Sequence, residues 1–137
     1  MMIKQNVPEL RFPEFSGEWE EISLSSLLEF NNGLNEKKEQ YGHGRKFINV
    51  LDILNNDGIY YDDIIGSVSA SEKNEEIYKV EHGDIVFLRS SESREDVGKS
   101  NVYLDEEEFA LFGGFVIRGK KQGDYHPYFL NLALATP

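Results

Sequence analysis

The sequence predicts an α+β domain, and three observations carry that prediction. Its apolar runs are short, of strand length, and most are closed by Gly, Asn or Asp. One window near the carboxyl end has the length and the Pro start of a longer helix. Two polar segments, 33–46 and 90–100, separate the apolar runs and are too long for simple turns. The 137 residues suit one domain, and a chain of this size can bury about two-thirds of its unfolded surface.

In order, residues 1–18 contain Pro8, Pro13 and Gly17 and read as an extended N-terminal arm, anchored by Leu10, Phe12 and Phe15. Residues 19–137 form the domain. Trp19 to Leu24 alternates and predicts a first strand. Ser25 suits the N-cap of a helical turn reaching Phe30, which Asn31-Asn32-Gly33 ends. A polar loop over 33–46, with Gly33, Gly42 and Gly44, leads to a strand over Lys46 to Val50. Asp52 to Asn56 suits a short helix, Asp57-Gly58 a turn, and Ile59 to Tyr61 a strand. Within the polar stretch 67–79, Ser71 to Glu76 suits another short helix. His82-Gly83-Asp84 turns the chain into an apolar strand, Ile85 to Arg89. After the loop 90–100, Asn101 to Leu104 reads as strand and Asp105 to Glu108 as a solvated acidic turn. Phe109 to Phe112 and Phe115 to Arg118 read as a pair of short strands about Gly113-Gly114. Pro127 opens a helix that continues from Tyr128 to Ala135.

Composition excludes several chemistries. The absence of Cys removes disulfides, zinc–thiolate sites, iron–sulfur clusters and thiol nucleophiles. No apolar run approaches the ~18 residues of a membrane span, and Met1 to Glu9 lacks the apolar core of a signal peptide. A soluble cytoplasmic protein with no membrane association is expected. The net charge is −11, from 25 acids and 14 bases, which by itself argues against a nucleic-acid partner. The charge is unevenly spread. Residues 31–60 carry four acids and four bases, and residues 85–104 carry three of each. Those balanced segments contain both long polar loops.

Catalytic patterns are incomplete. Gly98-Lys99-Ser100 ends like a phosphate-cradling loop, but Ser93 stands where the required earlier Gly would be, and a strand follows instead of a helix. His43, His82 and His126 are too widely spaced to suggest a metal site. Glu36-Lys37-Lys38 matches part of a metal-dependent nuclease motif without the rest. No nucleophile elbow or dinucleotide fingerprint occurs. No catalytic residue, cofactor or metal is therefore expected.

The loops suit binding better. Segment 33–46 sets Lys37, Lys38, Tyr41, His43, Arg45 and Lys46 among glycines, which let backbone approach a ligand. Arg and Lys can grip phosphates or guanine, and Tyr41 can stack. In the second segment Arg89 leaves a strand and is followed by Ser90 and Ser91, then by Arg94 and Lys99. Strand-end cations with serines suit an anion or a base edge. The candidate DNA-binding residues are thus Tyr41, His43, Arg45, Lys46, Arg89, Ser90, Ser91, Arg94 and Lys99.

Three stretches carry a family resemblance: VPELRFPEFSGEWEEISLSSL near the start, GDIVFLRSSESREDVGKSNVYLDEEEFALFGGFVIRGK in the second half, and HPYFLNLALATP at the end. In this order they resemble the amino-terminal target-recognition domain of a type I restriction–modification specificity subunit. The resemblance implies a non-catalytic domain that reads one half of a split sequence in double-stranded DNA through the major groove. In the family, helical spacers form a coiled coil that docks the methyltransferase and restriction subunits. The sequence stops within the helix after the domain, so it is expected to be a truncated amino-terminal part without that docking element. The resemblance also implies that the 33–46 loop and Arg89 to Lys99 line the DNA face, and that Trp19, Phe87 and Phe115 lie in the core. The charge leaves an alternative, an acidic protein-interaction module or DNA mimic that reads no DNA. A small nuclease using Glu36 and Lys38 is a third.

Overall fold

A computed structural model describes residues 23–55, 57–89 and 94–135. The fold is α+β, and the described residues form two sheets and four short helices. The first sheet has the order β1 (Leu28–Asn32), β7 (Val116–Lys121), β4 (Ile85–Leu88), β5 (Ser100–Val102), and every pairing is antiparallel. In the second, β2 (Tyr41–Ile48) lies between β3 (Ser67–Val68), antiparallel to it, and β6 (Leu111–Phe112), parallel to it. The helices are α1 (Leu24–Leu27), α2 (Val50–Asn55), α3 (Glu72–Tyr78) and α4 (Pro127–Leu134). None of the helices described is long and apolar enough to cross a membrane.

The first sheet is covered on both faces, which explains why β4 reads Ile-Val-Phe-Leu without a polar residue. Val86 and Leu88 join a core with Ile48, Ile53, Ile59, Tyr103 and Phe112, between the sheets and under α2. Ile85 and Phe87 point the other way, into a cluster with Leu28 and Val102 that α1 and α4 cover. Alternate residues of a strand face opposite sides, so one tetrapeptide feeds two cores. A third cluster, Leu34, Val68 and Leu111, underlies the second sheet.

Local signals set several helix starts. Ser71 caps α3, its Oγ accepting from the Asn74 N–H at 3.1 Å. His126 caps α4 through its side chain, with Pro127 in the first turn. At α2 the Asp52 carboxylate reaches back to accept from the Asn49 N–H at 3.0 Å, one half of a capping box.

Other expectations are corrected. Ser25 is not an N-cap: the first helix is Leu24–Leu27, and Leu28 already pairs with Lys121 in the sheet. A five-residue ladder with β7 outweighs one isolated helical turn. Of the expected strand Trp19 to Leu24, Leu24 is helical and most of the rest, like the 1–18 arm, lies outside the described residues. The 33–46 segment is a loop only to its 3-10 turn at Lys38–Gln40; Tyr41 onward is β2. Gly42 and Gly44 take φ of +97° and +95° where Tyr41 and Arg45 both face Val68, so these glycines permit a bulge. Ile59 makes a single bridge to Tyr103, and Tyr61–Asp63 is a 3-10 turn instead of strand. The pair expected around Gly113-Gly114 is divided, with β6 in one sheet and β7 in the other.

Arg118 joins the two sheets. Its guanidinium donates to the carbonyls of Ile77 (3.0 Å) and Lys79 (2.6 Å) at the end of α3, and to Asn31 Oδ1 on β1 (3.1 Å). It also lies over the Phe112 ring, 5.2 Å from the centroid. Burial lowers its pKa, while Asp84, Glu29 and Glu81 oppose that shift. Arg118→Met keeps the apolar stem and removes the donors. It is expected to destabilise the fold by about 2–4 kcal/mol, because buried carbonyls lose a charged partner. The check is the urea unfolding midpoint, which should fall by about 1–2 M. An unchanged midpoint would contradict this role for Arg118.

The acidic run also has structure. Asp105 accepts from the N–H groups of Glu107 (2.9 Å), Glu108 (3.0 Å) and Tyr61 (3.0 Å). Burial works to raise the Asp105 carboxyl, but these three donors outweigh it and hold its pKa below the usual carboxylate range. Glu81 is also held low, chiefly by its hydrogen bond from Lys120. A carboxylate with a depressed folded pKa adds stability above its unfolded pKa and loses it as pH falls through the folded value. Unfolding midpoints should therefore stay level from about pH 7 to 5 and fall below about pH 4. Asp105→Asn should flatten part of that fall; an identical acid profile in the variant would show that Asp105 does not contribute to it.

Candidate nucleic-acid interface

The link between the sheets builds the site. After β6 the chain turns at Gly113-Gly114 and enters β7. Segment 33–35 presses on that turn. The Leu34 N–H donates to the Phe112 carbonyl at 2.9 Å, and a Cβ on Gly33 would lie 1.9 Å from the Gly113 carbonyl oxygen. Gly113 itself donates to the Ile48 carbonyl at 3.1 Å. The Phe47 ring fits between Gly66 and Gly113, where added Cβ atoms would come within 2.8 and 3.2 Å of it. The Arg89 N–H donates to the Phe115 carbonyl at 2.8 Å, fixing the end of β4 to the turn.

These contacts shape an open cleft of about 660 Å³. Tyr41, Phe47 and Phe115 supply aromatic surface, Asn35 and Asn49 amides, and Arg89 the cation. Tyr41 packs against Phe47 with ring centroids 5.4 Å apart, and its hydroxyl accepts from the Glu36 N–H at 3.1 Å. None of the described residues that line the cleft is acidic. Among the described residues Arg89 is exposed and has no ion-pair partner. In an acidic chain, an unmatched guanidinium beside aromatic and amide groups is a distinct local environment.

The sequence candidates divide four ways. Tyr41, from the first long segment, and Arg89, at the strand end just before the second, both line the cleft. Arg45, Lys46 and Lys99 are engaged by the fold. Arg45 lies between Glu75 (3.5 Å) and Glu108 (3.1 Å), 3.8 Å over the Phe109 ring. Lys46 Nζ donates to the Ile64 carbonyl at 2.6 Å, and Lys99 pairs with Asp96 at 2.7 Å. His43 and Arg94 are exposed outside the cleft lining, and Ser90 and Ser91 fall outside the described residues.

The sequence reading missed Asn35, Phe47, Asn49 and Phe115. It placed Phe115 in the core, yet that residue is 62 % exposed. The available signal was the Gly113-Gly114 pair, which lets an adjacent aromatic stand out on a tight turn. Phe87 is partly buried against the α1–α4 cluster, and Trp19 lies outside the described residues.

A second cleft, of about 480 Å³, is lined by Glu81, Asp84 and the run Asp105 to Glu108, with Lys120 and Lys121 beside them. Most of its acidic groups have internal partners. Lys120 bridges Glu81 (2.6 Å) and Asp84 (3.0 Å), Asp105 binds backbone N–H groups, and Glu108 holds Arg45. The described residues hold no group of three or more acidic or His side chains suited to a metal ion. Compared with protein-family models and with curated proteins, the sequence gives no match.

Proposed function

We propose that the protein is a non-catalytic, sequence-reading DNA-binding domain, and that the cleft between Tyr41, Arg89 and Phe115 is its DNA-facing surface. The observation that carries the reading is that Tyr41 and Arg89 line one cleft in which no described lining residue is acidic. Those residues belong to the two segments whose resemblance to a type I specificity subunit implied a DNA face. Arg89 supplies a charge for phosphate or guanine, and the amides and aromatic rings supply base-edge contacts. On this reading the chain reads one half-site, and methylation and cleavage belong to the subunits of the wider family assembly.

The alternative, an acidic module for a basic protein partner, draws on the second cleft. Glu81, Asp84, Asp105 and Glu108 stay charged but are already held by internal cations or backbone N–H groups, which leaves them less available to a basic partner. This favours the DNA reading.

The direct experiment is selection of bound duplexes from a randomised pool at low salt, followed by anisotropy titration. A short half-site should be enriched. As a phosphate contact, Arg89 should contribute about −1 to the log–log salt slope. Arg89→Ala should weaken binding by about 1–3 kcal/mol and make the slope shallower by about one, with the unfolding midpoint unchanged. No enrichment, or equal affinity in the variant, would overturn the reading.

A further inference from the structure

We infer that the projecting Gly113–Phe115 turn, with Asn35 beside it, reads an A·T base pair: Asn35 meets adenine and Phe115 meets the methyl group of thymine. This rests on the DNA-binding reading above and specifies its ligand.

Phe115 is 62 % exposed, although its carbonyl is fixed by Arg89 and its turn is braced by segment 33–35. A braced backbone holding an apolar ring in solvent suits an apolar contact with a partner. In the major groove, the apolar group on a base edge is the thymine C5-methyl.

Asn35 stands against the same turn. A Cβ on Gly114 would fall 2.6 Å from Asn35 Oδ1, so the glycine leaves room for the amide at the turn. No hydrogen bond engages this side chain among the described residues, and the residue is exposed. A primary amide presents a donor and an acceptor side by side. Adenine presents the complement, an N7 acceptor next to an N6 donor, whereas guanine presents two acceptors. Cytosine presents an N4 donor that is commonly read by a carboxylate, and none of the described residues lining the cleft carries one. Arg89 remains as the guanine or phosphate contact. An amide and a methyl-seeking ring on one turn select A·T over G·C.

The test uses the full chain and the duplex enriched from the randomised pool, with single-position substitutions in the DNA. Replacing the contacted thymine by deoxyuridine removes only the methyl, and should weaken wild-type binding about 4-fold. Phe115→Ala should bind more weakly and be indifferent to that replacement. Replacing the contacted adenine by 7-deazaadenine removes N7 and should weaken the wild type by about 5- to 50-fold, with Asn35→Ala indifferent. Both side chains are exposed, so the variants should keep the wild-type unfolding midpoint. Independent, additive effects of protein and DNA changes, or an enriched half-site of G·C pairs alone, would overturn the A·T assignment while leaving DNA binding intact. Failure to bind any duplex would overturn both.

Discussion

The fold depends on one buried cation. Arg118 belongs to a central strand of the first sheet, but its guanidinium closes the end of α3, holds Asn31 on β1 and covers Phe112 of the second sheet. Burying a guanidinium carries a desolvation penalty, and here carbonyl dipoles offset it more than a direct ion pair does. The last carbonyls of a helix need partners, and the terminal guanidinium nitrogens supply them, while Arg118 Nε is buried without a partner among the described residues. Phe112 leads directly into Gly113-Gly114. The cation that fixes the relation of the sheets thereby fixes the turn that carries Phe115.

Charge is organised by similar internal accounting. The chain is strongly acidic, yet many carboxylates near its second cleft hold backbone N–H groups or internal cations. Asp84 is nearly sealed from solvent, and its oxygens accept from the Glu81 and Lys121 N–H groups and from Lys120. Arg45 is likewise taken up by Glu75 and Glu108. What remains free differs from what composition suggests: among the described residues Arg89 has no ion-pair partner, and none of those lining its cleft is acidic. Net charge describes long-range repulsion, whereas recognition is set by the groups left without partners.

The legible parts of the fold are those with local causes. Ile85–Leu88 is legible because a continuous apolar run signals a strand buried on both faces. The cap Ser71 and the pair His126-Pro127 locate α3 and α4. The illegible parts are governed by distant partners. Leu28–Asn32 looks like the end of a helical turn until β7 pairs with it. Tyr41 to Arg45 looks like loop because its glycines carry a bulge and no apolar alternation marks the strand. The candidate site was half legible for the same reason. Tyr41 and Arg89 stand out by residue type, but the partners of Arg45 and Lys46 come from elsewhere in the chain. Phe115 has a core residue's composition and is exposed by the geometry of its turn.

The central claim is that the Tyr41–Arg89–Phe115 cleft faces DNA. Amide chemical-shift mapping on the isotopically labelled chain, titrated with a short duplex at low salt, tests it residue by residue. The largest shifts are expected at Asn35, Tyr41, Arg89, Gly114 and Phe115, with little change along Asp105 to Glu108. Shifts centred on the acidic cleft, or none at saturating duplex, would contradict it.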